Sequence, residues 1–482
     1  MNATAVLAGL EPALVWERFA ELTAIPRPPK QEEEVRAWVL EWAAARAFES
    51  ETDEEGNVVV RVPASPGREG APIVVLQAHL DMVCEREPES DYDPRAGRIR
   101  VELEEDWVIA PETTLGADNG IGVAAAIAVA DDPDVEHGPL ELLFTVSEEQ
   151  GLDGAKALTP ELVSGRLLLN LDGSSERSLT IGCAGSTHTF TRLPLAPESV
   201  PDGYVTLRVS VTGARGGHSG GDIARGRANA IKSLGRVLGQ APLRLVRLDG
   251  GVSRNALPRE ATAVVALPAN SEVALAEAAR RELGALREQY AGTDDGITLS
   301  IEHVAAEGAA DGATSGRALS LLAVLPSSVL GMNPALPEKV ETSTSLNVAT
   351  TKDGVLTLAS MTRSASAPAL AEVVSGIEAA ARLANAEVEI LRSYPPWRPD
   401  LESRLLRVAR ATFERLFEFE PTLEVVHGGL ECAVIGDKLP GVEMISLGPE
   451  IAGPHAPGER LSVPSTQRFY RLLGALLDDL SR

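Results

Sequence analysis

The chain has 482 residues, 44% of them hydrophobic and 24% charged, enough for two or three domains with sizeable cores. A formal charge of −26 weighs against nucleic acid or an anionic membrane surface as a partner. The start "MNATAVLAGLEPALVWERF" lacks a signal peptide's basic segment, and no window offers the roughly 18 uncharged apolar residues of a membrane span, so a cytoplasmic protein is expected.

Residues 12–46 carry helical periodicity that breaks at "IPRPP", where Pro26, Pro28 and Pro29 forbid continuation. "NVVVRV" (57–62) reads as a strand, and "APIVVLQAHLDMV" (71–83) as a buried strand over 72–78 that runs out into polar residues. "NGIGVAAAIAVADD" (119–132) is a helix of small residues, and "LELLFTV" (140–146) and "GRLLLNLDG" (165–173) are further buried strands. Apolar strands alternating with helices indicate an α/β sheet covered on both faces.

From about Tyr204 the strands become amphipathic and alternate with helices expected over 222–238 and 272–289. A helix over 315–325, strands near 340–350 and 354–363, a helix over 367–385 and a strand over 387–392 follow. Helix, two strands, helix, strand thus appears twice, which suggests an internally duplicated α+β domain. After "YPPWRPD" (394–400), a helix over 401–417 and the strands of "LEVVHGG" and "GVEMISLGP" return to the first style. The expected fold is a split α/β domain with a mixed, largely parallel sheet (1–185 and 398–482) and an inserted α+β lid domain (186–397).

Polar residues at the ends of apolar strands carry the chemistry. His79 and Asp81 follow the strand 72–78, Glu148 and Glu149 follow 140–146, and Asp172 ends 166–171. His455 lies in the glycine- and proline-shaped loop "GPEIAGPHAPGE", and Asp118 opens a helix within "TTLGADNGIG". Open α/β sheets bind ligands at the carboxyl ends of their strands, so one crevice is expected to gather these residues. Carboxylates mixed with imidazoles, without thiolates, suit Zn²⁺ or Mn²⁺. A pair of ions about 3.5–4 Å apart needs a shared carboxylate with little bulk around it, a role that fits Asp118. Each residue alone has an ordinary reading: Asp118 as a helix N-cap, the glutamate pair as a solvated corner, a strand-end histidine as a hydrogen-bonded structural residue. The glycines alone would allow a nucleotide loop, but the Lys-Ser/Thr of a phosphate loop is absent.

Taken in order, "HLDMV", "TTLGADNGIG", "SEEQG", "LDG…GCAG", "GGHSGGD", "GGLEC" and "GPHAPGE" resemble the cytosolic aminoacyl-histidine dipeptidases, carnosinase-like members of the dinuclear-zinc metallopeptidases. The resemblance spans essentially the whole chain. It implies that His79 and Asp172 hold one metal ion, Glu149 and His455 a second, and that Asp118 bridges them, followed by a cis peptide to Asn119. Asp81 would orient His79, and Glu148 would activate a metal-bridged water and later protonate the leaving amine. His218 would reach the oxyanion from the lid. Asn255 and Arg363 would contact the peptide, Arg363 through its free carboxylate, and Glu431 would meet its amino group. Two departures stand out: Ser147 precedes the glutamates where relatives commonly carry Thr or Asp, and Gly173 follows Asp172.

The implied cofactors are two divalent ions, Zn²⁺ first with Mn²⁺ or Co²⁺ as substitutes. The implied reaction is hydrolysis of short unblocked dipeptides, Xaa-His such as β-Ala-His among them. An N-acyl-amino-acid amidohydrolase and a non-catalytic binding module are the competing readings. Cys84, Cys183 and Cys432 form no C-x-x-C pair and are expected as buried bystanders. A monomer and a homodimer are both open.

Overall fold

The computed structural model describes residues 3–482, which divide into two units. The first holds the chain through Gly182, then Trp397–Val426 and Leu430–Arg482; the second holds Cys183–Pro396 and His427–Gly429. Of the expected span 1–185, residues 1 and 2 lie outside the described part.

The first unit is built on an eight-stranded mixed sheet. Across it run Glu49–Thr52, Val58–Val62, Leu140–Thr145, Val74–His79, Leu167–Asn170, Glu443–Ser446, Ser178–Cys183 and Thr422–Val426. The four strands from Leu140–Thr145 to Glu443–Ser446 are parallel to their neighbours, and antiparallel pairs flank them. Three of these parallel strands are buried at every residue, as their unbroken apolar runs require. Helix Ala117–Asp131 packs on Val74–His79 and on helix Ala13–Leu22. Its run of Gly, Ala, Val and Ile is buried almost all round, and small side chains permit that close approach. Helix Arg404–Phe417 begins three residues later than expected because the Ser403 hydroxyl accepts the Leu406 N–H and caps it there.

The second unit carries a nine-stranded sheet whose neighbouring strands are all antiparallel. Its main path is Thr298–His303, Tyr204–Thr212, Ala261–Pro268, Arg244–Gly250, Val340–Lys352, Val355–Ser364, Gly185–Pro194 and Glu387–Tyr394. One continuous apolar core lies between this sheet and helices Ala230–Leu238, Glu272–Gln289, Gly312–Val324 and Ala367–Leu383. The helix expected over 222–238 is shorter. Residues Ile223–Arg225 form a single tight turn ended by Gly226 in the left-handed region (φ 64°), and the helix restarts at Ala230 behind the Asn229 cap.

Candidate metal centre

The strands Val74–His79, Leu140–Thr145 and Leu167–Asn170 point the same way, so their carboxyl ends open on one side of the sheet. His79 is the last residue of the first strand rather than the first beyond it. Glu148 and Glu149 follow the second strand, and Asp172 the third. Asp118 lies in the irregular first turn of helix Ala117–Asp131, and its peptide bond to Asn119 is cis. His455 sits between the short strands Ile451–Ala452 and Arg460–Ser462 with φ 65°.

The fold brings these six residues together. Asp118 turns Oδ1 to His79 Nε2 at 3.1 Å and Oδ2 to His455 Nε2 at 3.2 Å. His79 Nε2 also lies 3.6 Å from Asp172 Oδ1, and His455 Nε2 lies 2.9 Å from Glu149 Oε1. Among the described residues three groups could hold an ion, His79–Asp118–Asp172, Asp118–Glu149–His455 and His79–Glu148–Glu149, and Asp118 is common to the first two. Asp81 stands behind them: its Oδ1 is 3.4 Å from His79 Nδ1, and its two oxygens accept the N–H groups of Glu148 and Glu149 at 2.9 and 3.1 Å. One buried carboxylate therefore orients a histidine and both glutamates.

The charges here are those of a cluster made for cations. Burial, together with the Asp118 charge, raises Asp172 to about 7. Burial and the neighbouring acids Asp172, Glu431 and Glu149 push Glu148 well above the carboxylate range. Hydrogen bonds to Asp118 and Glu149 raise His455 to about 10. Asp118 is half-buried, and its bonds with His455 and His79 hold it well below the usual range. Without another cation Asp172 and Glu148 favour their protonated forms and His455 gains a proton; divalent ions would take the place of those protons. Glu149 Oε1 is buried and faces only the His455 imidazole, so both groups are placed to turn to such an ion. The residues fit a two-ion centre.

Three supports escaped the sequence reading. Glu459 is buried, and its carboxylate accepts the N–H groups of Leu115, Gly116, Ala117 and Asp118 at 2.7, 3.0, 2.8 and 3.3 Å. Arg27, also fully buried, donates to the carbonyls of Leu80, Asp81 and Gly116 at 3.0, 3.1 and 2.6 Å. It thereby ties the segment after His79 to the loop before Asp118. A Cβ on Gly116 (φ 70°) would lie 2.5 Å from Arg27 Nη2, so glycine is needed for both space and backbone shape. Glu32 accepts the Ser147 N–H at 2.9 Å just ahead of the glutamates.

Glu431 opens helix Glu431–Lys438 and is wholly buried. Its Oε2 accepts from Thr145 Oγ1 at 2.7 Å and Gln77 Nε2 at 2.6 Å, while Oε1 is buried without a partner. Within the second unit, His218 and Asn255 sit beside each other because Gly217–His218 pairs with Ala256–Leu257. His218 Nδ1 accepts the N–H groups of Gly220 and Gly221 at 3.3 and 3.0 Å, which leaves the ring proton on Nε2. Burial and the charge of Arg363 lower the His218 pKa, so the ring is a neutral donor. Arg363 is 3% exposed and donates to Tyr394 Oη at 3.2 Å. Cys84, Cys183 and Cys432 are all buried and unbridged.

Residues 75–479 match peptidase family M20/M25/M40. The chain belongs to this family. It is 37% identical over 479 residues to the cytosol non-specific dipeptidase of Escherichia coli (strain K12), covering 98% of this chain and 99% of that protein. The fold matches the crystal structure of aminoacylhistidine dipeptidase from Vibrio alginolyticus with a TM-score of 0.92 and 36% identity, over 98% of this chain and 97% of that one. The aminopeptidase PepT structure from Bacillus cereus ATCC 10987 matches with a TM-score of 0.57 at 15% identity, over 98% and 100% of the two chains. As a family member the chain is a metallopeptidase. Among the described residues no helix is long and apolar enough to cross a membrane.

Proposed function

We propose that this metallopeptidase hydrolyses dipeptides with a free amino group and a free carboxylate, Xaa-His among them, in the cytoplasm. The observation that carries the reading is Asp118, whose two oxygens face two histidines in overlapping donor sets, in a chain similar end to end to the two dipeptidases. We assign residues 1–185 and 398–482 to the metal-bearing catalytic domain and 186–397 to an inserted lid that takes part in substrate binding.

In this reading His79 and Asp172 would hold one divalent ion, Glu149 and His455 a second, and Asp118 would serve both, with Zn²⁺ first and Mn²⁺ or Co²⁺ as substitutes. Bound there, such ions polarise a carbonyl and make water more acidic. The protein's own groups do the rest. Glu148 takes the proton of the attacking water on its carboxylate and hands it to the departing amine nitrogen. Asp81 holds the His79 ring and, through the amides of Glu148 and Glu149, the direction of both glutamates. His218 offers its Nε2–H to the oxygen that gains charge, and Asn255 binds the peptide. Arg363 takes the substrate's carboxylate: it is a buried cation with no carboxylate among its partners in the described residues. Glu431 Oε1, buried and unpartnered, is assigned to the substrate's ammonium group.

An N-acyl-amino-acid amidohydrolase would use the same centre and the same arginine. A panel of free and N-acetylated dipeptides and amino acids, assayed on chelator-stripped protein reloaded with Zn²⁺, Mn²⁺ or Co²⁺, separates the two. Hydrolysis of the free-amine substrates is expected, and a preference for the acylated ones would overturn the reading.

A further inference from the structure

Arg363 does not stand alone. Ser343 lies directly opposite it in the ladder between Val340–Lys352 and Val355–Ser364, so the two side chains share one face of the sheet. The Ser343 hydroxyl is 2.7 Å from His427 Nε2. His427 and Arg363 both border Gly220, where an added Cβ would press on the His427 carbonyl oxygen and lie 3.1 Å from Arg363 Nε, and the Arg363 charge acts on the His427 ring. Ser343, Arg363 and His427 thus form one cluster within the second unit.

Two buried nitrogens in this cluster have no hydrogen-bond partner, Arg363 Nε and His427 Nδ1. Buried polar groups left this way in a native protein call for a reason, and a ligand that supplies the missing acceptor is one. Burial, with the charges of Arg363 and His218, lowers His427 to about 4, so its ring is neutral and carries one N–H. When the Ser343 hydroxyl donates to Nε2, that proton sits on Nδ1, the nitrogen without a partner. The imidazole then presents a donor beside a guanidinium that lacks its anion.

We propose that His427 is a specificity-determining residue whose Nδ1–H binds the substrate's terminal carboxylate alongside Arg363, with Ser343 holding the ring in the required tautomer. The proposal rests on the dipeptidase reading. It explains why a histidine is placed against a buried arginine that repels its protonated form: a neutral second donor adds directionality without a second buried charge.

The test compares a dipeptide with its C-terminal amide on the metal-loaded enzyme, giving kcat and KM for each, with thermal midpoints measured alongside. Wild type is expected to favour the free acid. His427→Gln keeps an amide near the Nε2 position and loses the Nδ1 donor. Its KM for the acid is expected to rise about tenfold with a much smaller change in kcat, while the amide is little affected, so the acid-to-amide ratio of kcat/KM falls about tenfold. His427→Asn places an N–H near the Nδ1 position and is expected to restore part of that ratio. A merely structural role would lower the thermal midpoint and weaken acid and amide alike. An unchanged acid-to-amide ratio in His427→Gln would overturn the proposal while leaving the dipeptidase reading intact. A wild type indifferent to the carboxylate would overturn both.

Discussion

Glu459 wraps its carboxylate around the loop that delivers Asp118, accepting four consecutive backbone N–H groups that end with that of Asp118 itself. The backbone N–H groups of this loop converge on that one carboxylate, which therefore helps set where Asp118 points. Glu459→Gln would turn one oxygen into an NH₂ facing backbone donors. We predict about 10- to 100-fold weaker metal affinity. Competition with a chromophoric chelator, on stripped protein of unchanged circular dichroism, checks it; unaltered affinity would show that Glu459 merely fills space.

Gly220 lies between His218, Arg363 and His427, the residues proposed to bind substrate. An added methyl would press on the His427 carbonyl at 2.4 Å and on Arg363 Nε and His218 Cε1, each at 3.1 Å. Gly220→Ala should lower kcat/KM for dipeptides by about 100-fold, because displacements near 1 Å in positioning groups cost that much. Bound metal measured by elemental analysis should stay at the wild-type level. Full activity in this variant would mean that the cluster does not position substrate.

Burial and the charges of Arg254 and Arg363 lower His188 to about 4, against about 6.5 in an unfolded chain. Between those values the unfolded chain binds the extra proton, so the stability this group contributes is whole above pH 6.5 and is lost as pH falls toward 4. His188 stacks on Phe190, and His188→Phe removes the titration while retaining an aromatic ring. Its thermal midpoint should fall less steeply than wild type between pH 6.5 and 4. Parallel curves for the two proteins would contradict this.

What the sequence disclosed follows from where the signal lay. His79, Glu148, Glu149 and Asp172 were readable because each interrupts or follows an apolar run whose direction is fixed by burial. Arg27 and Glu459 were not, because they bind backbone groups remote in sequence, and backbone groups leave no pattern in a sequence. The long strand Gly185–Pro194 also went unread. Its buried positions include Ser186, Thr187, Thr189 and Thr191, whose hydroxyls hide an inward-facing alternation from any reading based on apolar residues. The helix expected from 222 failed at a glycine whose backbone stops a turn.

The central claim is that Asp118 is shared, one oxygen toward each histidine, so that both ions would depend on it. Metal titration of stripped Asp118→Ala, with wild type and His455→Ala as references, tests it most directly. The account predicts two ions bound by wild type, a selective loss of one in His455→Ala, and about 100-fold or greater weakening of both in Asp118→Ala, each with unchanged circular dichroism. An Asp118→Ala protein that still binds either ion with wild-type affinity would contradict it.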